Sequence, residues 1–219
     1  MSERILYGYY RSSAAFRVRI ALALKGLDYQ YKAVDLKPSA NDHKAPDYLA
    51  MNPQGRVPFF VDNGLGISQS PAILEYLDEV YPDVPLLPSH ANERAWVRQL
   101  VNVIGCDIHP LNNLSVLQKL KSEFDADQDA VNSWYSHWIV EGFTALEAML
   151  TSSKYRGDFC FGNLPSMADV YLVPQVWNAM RFQVNLEKFP VIKRIYASCA
   201  EHPAFMKSMP ENQPDAPAD

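Results

Sequence analysis

Cysteine is scarce in this chain: Cys106, Cys160 and Cys199 are the only three among 219 residues. An odd number without CxxC spacing excludes a disulfide framework and a zinc site, and points to a reducing compartment. Basic excess is also missing. Against 25 Asp and Glu stand only 20 Lys and Arg, a net charge of −5 that argues against general nucleic-acid binding while leaving room for a basic pocket. No apolar run reaches the roughly 18 residues of a membrane helix, and no apolar leader precedes Ile5, so a soluble, cytoplasmic chain without membrane partners is expected. Internal repeats and low-complexity segments are absent as well. Hydrophobic residues make up 48% of the chain, enough to build one large domain or two modest ones.

Two kinds of pattern follow one another. Up to about Tyr81, short β-like runs alternate with helical ones, whereas from Asn92 to Met209 nearly every long segment reads as helix. The first part predicts a strand at 5–9, a helix at 13–25, a strand at 29–35, a loop and short helix at 38–50, and a strand at 57–61. Asn63-Gly64 then turns the chain into a hairpin partner at 65–68. Gln69-Ser70-Pro71 opens a helix, with Ser70 suited to the N-cap and Pro71 to the first helical position. Pro82, Pro85 and Pro88 make a semi-rigid connector. The expected organisation is therefore an α/β thioredoxin-like domain over residues 1–82, a linker over 83–91 and an all-α domain over 92–219. Ser166 and Asp169 form a capping box at the start of a buried helix. The tail from Pro210 to Asp219 has little to bury and is expected to be irregular.

The run Arg11-Ser12-Ser13-Ala14-Ala15-Phe16-Arg17-Val18-Arg19 stands where a strand hands over to a helix. Two hydroxyls, first-turn amides and nearby cations suit it to an anion, a thiolate or a carboxylate. Val57-Pro58 precedes the third strand. A cis bond there would offer the backbone of Val57 to an extended ligand, although spacing alone favours Pro58 as the start of an edge strand. Gln69 and Ser70 lie at a second helix start suited to a carboxylate, where plain capping explains Ser70 equally well. Conjunction is what matters: three such features on one small fold would converge on one edge. Arg17 and Arg19, two residues apart on a helix, cannot both face the site, so one is expected to bridge to the other domain or to an acidic side chain. Cys106 and His109 could share a helical face, but no second pair completes a metal shell, and no metal is expected. His90, His137 and His202 read as surface or capping residues, and Trp96, Trp134, Trp138 and Trp177 as core or contact aromatics.

On these residues the chain resembles the zeta-class glutathione transferases, the group that includes the maleylacetoacetate and maleylpyruvate isomerases. The likeness runs from Ile5 to about Pro214. It is carried by Arg11-Ser12-Ser13 through Leu22, Asn52-Pro53 with Val57-Pro58, Gln69-Ser70, Asn113 to Leu117, and Leu172 to Phe182. It implies a glutathione transferase fold, glutathione as cofactor, a small dicarboxylate as substrate, and a homodimer. It also implies glutathione-dependent cis–trans isomerisation of maleylacetoacetate in tyrosine and phenylalanine breakdown. The alternatives are maleylpyruvate as substrate, general conjugating activity, or glutathione binding without catalysis.

By the same resemblance Ser12 donates to the glutathione sulfur, Val57 pairs with the cysteinyl backbone, Gln69 and Ser70 hold the γ-glutamyl end, and His43 reaches the glycyl end. Ser13, Ala14, Arg17, His109, Asn113, Leu114 and Ser115 complete the implied glutathione contacts. Arg11 and Arg181 are the implied carboxylate clamps, counted with Ser12 and Ser13 as the catalytic set. One departure stands out: Ala14 occupies the place of a family cysteine and Phe16 that of a tryptophan. Because the attacking sulfur belongs to glutathione, the chemistry is expected to survive the loss of that thiol.

Overall fold

Short apolar runs in the first half become, in a computed structural model that describes residues 3–217, a sheet of strand order β2-β1-β3-β4. β1 (Arg4–Gly8) pairs parallel with β2 (Gln30–Ala33) and antiparallel with β3 (Phe59–Asp62), which pairs antiparallel with β4 (Leu65–Ser68). A parallel pair needs a crossover, and α1 (Ser13–Leu24) supplies it. Leu6 and Phe60, opposite each other in register, are fully buried. Asn63 and Gly64 both take positive φ, 49° and 86°, as the tight hairpin turn requires. β3 is an internal strand, so Pro58 does not start an edge strand; it stands just ahead of a strand paired on both sides.

α1 is buried on almost all sides, Arg17 and Arg19 included. A short 3-10 turn at Asp42–Lys44 leads into α2 (Pro46–Met51), and α3 (Ser70–Val80) buries Ile73, Leu74 and Leu77. Its cap is Gln69 rather than the expected Ser70, which is the first helical residue. The connector after α3 is anchored. Lys25 Nζ, at the end of α1, donates to Asp78 and to the carbonyls of Tyr81 and Val84.

Residues up to Leu86 and from Glu201 onward pack as one unit, and Leu87–Ala200 as another. The C-terminal segment therefore does not belong to the helical unit, as its place in the sequence suggested. α9 (Pro203–Ser208) packs on α1, with Ala204, Phe205, Ser208 and Pro210 buried, and only residues 218 and 219 of the tail lie outside the described part. The reason is local: Phe205 supplies apolar area, and one carbonyl of the returning segment accepts from a buried cation. Arg19 Nε donates to Ser208 O at 3.1 Å.

The second unit consists of α4 (Ala91–Asn102), a π-helical turn at Val103–Ile108, α5 (Leu114–Glu123), α6 (Gln128–Ser152), α7 (Met167–Arg181) and α8 (Pro190–Ala200). α7 is buried all round for most of its length. Asp169, fully enclosed, fixes its start by accepting from Ser166 N, Ser166 Oγ and Cys160 N at 2.7 to 2.8 Å. None of the described helices is long and apolar enough to cross a membrane.

Candidate active site

At the edge of the first unit, Ser12 caps α1 in an extended conformation, its Oγ accepting from Ala15 N at 3.2 Å. A hydroxyl that accepts still has its own hydrogen to give. No acidic side chain sits in the first turn to oppose an anion there. Ser13 is buried and Ala14 half-buried. Arg11 is exposed, its guanidinium 5.7 and 5.3 Å from the ring centres of Tyr9 and Tyr10, with Nη2 donating to Tyr9 Oη.

The peptide between Val57 and Pro58 is cis. The loop leading to it is held from two directions, because Tyr48 Oη and Asn52 Nδ2 both donate to Arg56 O at 2.7 Å. Val57 itself packs against Val34, Tyr48 and Phe59. Gly55 takes φ 57°, and a Cβ there would stand 2.8 Å from His43 O, so the site demands glycine twice over. Lys44 Nζ donates to Gly55 O at 3.2 Å, which ties the His43 loop to the Val57 loop. Burial and the neighbouring Lys44 charge lower the His43 pKa from its ordinary value, leaving a neutral imidazole at pH 7.

Gln69 adopts φ 71°, a backbone region unusual for a residue with a side chain, and its Nε2 donates to Gln54 Oε1 at 2.6 Å. Ser70 is buried beside it and accepts from Arg17 Nη1 at 3.4 Å. Arg17 thus lies beneath the second helix start and supports it. Ser12, Val57, Gln69 and Ser70 all belong to the first unit. Gln54 had no signal of its own in the sequence.

In the helical unit, Cys106 and His109 sit on and just after the π-helical turn rather than on a plain α-helix, with Cys106 exposed and His109 half-buried. No group of His, Cys, Asp and Glu among the described residues could hold a metal ion. The following loop is pinned by α6: Asn112 Nδ2 donates to Tyr135 O and Trp134 Nε1 to Leu111 O. Asn113 caps α5, accepting from Ser115 N and Ser115 Oγ at 3.1 Å, while Leu114 is exposed. Arg181 is exposed at the end of α7, 4.6 Å from the Phe182 ring centre and 5.7 Å from that of Trp177. Tyr135 stacks on Phe182 at 3.6 Å and hydrogen-bonds Arg181. The sequence singles out Arg181 and gives no sign of Tyr135, which looks like any buried aromatic of a helix.

A thioredoxin-like unit with a cis Val57-Pro58 peptide, joined in one chain to an all-helical unit, is the architecture of a glutathione transferase. The profile of the glutathione S-transferase N-terminal domain matches residues 2–79. A maleylacetoacetate isomerase of Pseudomonas aeruginosa is 50% identical over 214 residues, covering 97% of this chain and 99% of its own. The solved holo structure of a maleylpyruvate isomerase, a bacterial zeta-class enzyme, matches with a TM-score of 0.95 at 45% identity, covering 97% of this chain and 100% of that one. That of a maleylacetoacetate isomerase from Methylobacterium extorquens, with malonate and glutathione bound, matches at 0.93 and 38% identity over 98% and 100% of the two chains. The chain belongs to the zeta class of the glutathione transferase family.

Proposed function

We propose that this protein is a glutathione-dependent cis–trans isomerase that converts maleylacetoacetate to fumarylacetoacetate. The observation that carries the reading is the whole-length likeness to a maleylacetoacetate isomerase at 50% identity. The site supports it chemically. When bound, glutathione supplies a sulfur nucleophile that adds to the cis double bond and leaves again after rotation, so no redox change or net conjugation results. An ordinary thiol, with a pKa of about 8.5, is mostly protonated at neutral pH. Ser12 donates to the sulfur, and the amide end of α1 adds positive potential, so both favour the thiolate.

Gln69 and Ser70 hold the γ-glutamyl carboxylate at the start of α3, the Val57 backbone pairs with the cysteinyl residue, and His43 reaches the glycyl end. Ser13, Ala14 and Arg17 support these contacts from α1. Arg11 and Arg181 bind the substrate carboxylates and stabilise the enolate charge that develops on addition. Both guanidinium groups rest on aromatic rings, which restrict them without neutralising them. A dicarboxylate substrate is also in keeping with the malonate held by the Methylobacterium relative.

The same chemistry on maleylpyruvate is the second reading, favoured by the match to a maleylpyruvate isomerase structure at a TM-score of 0.95. We further infer a cytoplasmic homodimer acting in tyrosine and phenylalanine breakdown. Free thiols at Cys106, Cys160 and Cys199 support a reducing compartment, and the exposed apolar side chains of Met51, Leu65 and Val80 support an interface.

Turnover of maleylacetoacetate and maleylpyruvate, each with and without glutathione, tests these readings. Trans product formed only with glutathione, and without consuming it, is the expected result. A higher kcat/KM on maleylpyruvate selects the second reading, and consumed glutathione a conjugating transferase. Turnover of neither substrate ends the isomerase reading.

A further inference from the structure

The C-terminal segment does more than cover α1. Tyr10 lies in the turn between β1 and α1, two residues ahead of Ser12, and both hydrogen-bonding groups of its backbone are held by buried or half-buried ionic side chains. Its N–H donates to Asp215 Oδ2 at 2.9 Å, and its carbonyl accepts from Arg19 Nη2 at 3.0 Å. Arg19 in turn donates through Nε to Ser208 O of the same returning segment. Tyr31 Oη, from β2, donates to the same Asp215 oxygen at 3.2 Å. Burial and the Asp215 charge raise the Tyr31 pKa far above its ordinary value, so this phenol remains a donor throughout the working range of pH. The other carboxylate oxygen, Asp215 Oδ1, is buried without a hydrogen-bond partner among the described residues. A half-buried carboxylate with one enclosed oxygen left unsatisfied is a poor choice for stability alone. It is a good choice for holding one turn of backbone in place. That turn continues at once into the site, where Ser12 N donates to Tyr9 O at 2.9 Å and Arg11 projects from between Tyr10 and Ser12.

We propose that Asp215, carried back by the C-terminal segment, is a positioning residue for the thiolate-activating turn: together with Arg19 it fixes the Tyr10 peptide groups and thereby sets where Ser12 and Arg11 stand. The segment is then a working part of the glutathione site and not a trailing end. The proposal rests on the assignment of Ser12 to the glutathione sulfur, and its test reads glutathione directly, so it does not depend on which substrate is isomerised.

Asp215→Ala, Asp215→Asn and Tyr31→Phe are compared with the wild type in the full-length protein. The readouts are glutathione affinity by calorimetry, the pKa of the bound thiol by ultraviolet absorbance of the thiolate, and thermal unfolding. Asp215→Ala is expected to weaken glutathione on the order of tenfold and to raise the bound thiol's pKa, the scale of one lost hydrogen bond to a charged group. Asp215→Asn, whose amide oxygen accepts from the same two donors, is expected to restore most of both. Lower thermal stability with glutathione affinity and thiol pKa unchanged per folded molecule would reduce Asp215 to a structural anchor and overturn the proposal. If Asp215→Ala fails to fold, Tyr31→Phe carries the test: a smaller shift in the same direction supports the proposal, and none defeats it. A wild type that binds glutathione with a depressed thiol pKa but isomerises nothing would remove the isomerase reading and leave this one standing. A wild type that binds glutathione with an ordinary thiol pKa would remove the Ser12 assignment and this proposal with it.

Discussion

Arg17 Nη1 donates to Ser70 Oγ across 3.4 Å, and both side chains are buried, so a cation on the first helix of the site supports the start of the second. The bond couples two segments 53 residues apart in sequence. It also places a positive charge below the helix start proposed to receive a carboxylate, where low polarity leaves its field poorly screened.

Replacing Arg17 with Met separates these roles from plain packing. Met keeps the apolar length of the stem while removing a charge that burial makes costly, so thermal unfolding is expected to move little. Glutathione affinity is expected to fall on the order of tenfold, the loss of one charge-assisted contact. Calorimetric titration beside a melting curve checks both. A large drop in melting temperature with affinity unchanged would make Arg17 a purely structural residue.

Ser12 has two duties that a single substitution removes together. Its Oγ caps α1 by accepting from Ala15 N, and the same hydroxyl is the proposed donor to the sulfur. Ser12→Ala is therefore expected to cost about 1 kcal/mol of stability, as a lost N-cap does, and to raise the pKa of bound glutathione with a fall in kcat. Ser12→Thr keeps a hydroxyl and a cap, and is expected to recover much of both. Denaturant unfolding and a pH–rate profile measure the two losses independently.

The parts of this site that follow local rules were legible in the sequence. Asn63-Gly64 announced the hairpin, Ser166 with Asp169 the start of a buried helix, and the run from Arg11 to Ser13 the hand-over from strand to helix. Reading one residue further was less secure. Gln69 takes the cap position ahead of Ser70 by adopting a positive φ, which no propensity for glutamine predicts. The segment from Pro203 onward reads as part of the helical domain because Phe205 and the carbonyl of Ser208 have value only once Arg19 is buried against them; the stretch after Asn212 is irregular, as its composition suggests. Buried cations on a helix with apolar faces were the available clue: Arg17 and Arg19 needed acceptors from outside α1, and the chain offered them at Ser70, Tyr10 and Ser208. Tyr135 and Asp215 left no trace, since each acts through a partner distant in sequence.

Gly142 of α6 meets Ile108 so closely that any Cβ at this position would overlap the Ile108 side chain. Ile108 closes the π-helical turn that leads into His109. Gly142→Ala adds helix propensity to α6, yet is expected to destabilise the protein by roughly 1–3 kcal/mol through overpacking. Ile108→Val in the same chain is expected to return part of that loss by giving the methyl room. Unfolding midpoints of the two single variants and the double variant test the coupling; additive effects would deny the contact.

Tyr135 provides a test set by pH. Burial pushes its phenol up from 10.0 to about 12, against the opposing influence of Arg181. The folded state therefore binds this proton more tightly than the unfolded chain does. The resulting stabilisation is fully present below pH 10 and is lost as pH rises toward about 12, on the order of 3 kcal/mol for a shift of this size. Tyr135→Phe keeps the stack on Phe182 and deletes the titrating group, so its stability curve is expected to be flatter than that of the wild type across that window. At neutral pH the same variant loses the hydrogen bond to Arg181. The KM for the dicarboxylate substrate is then expected to rise severalfold with glutathione affinity unchanged, because Tyr135 acts on Arg181 and not on the thiolate site. Equal weakening toward both ligands would mean that the phenol supports the helical unit as a whole rather than the orientation of one guanidinium.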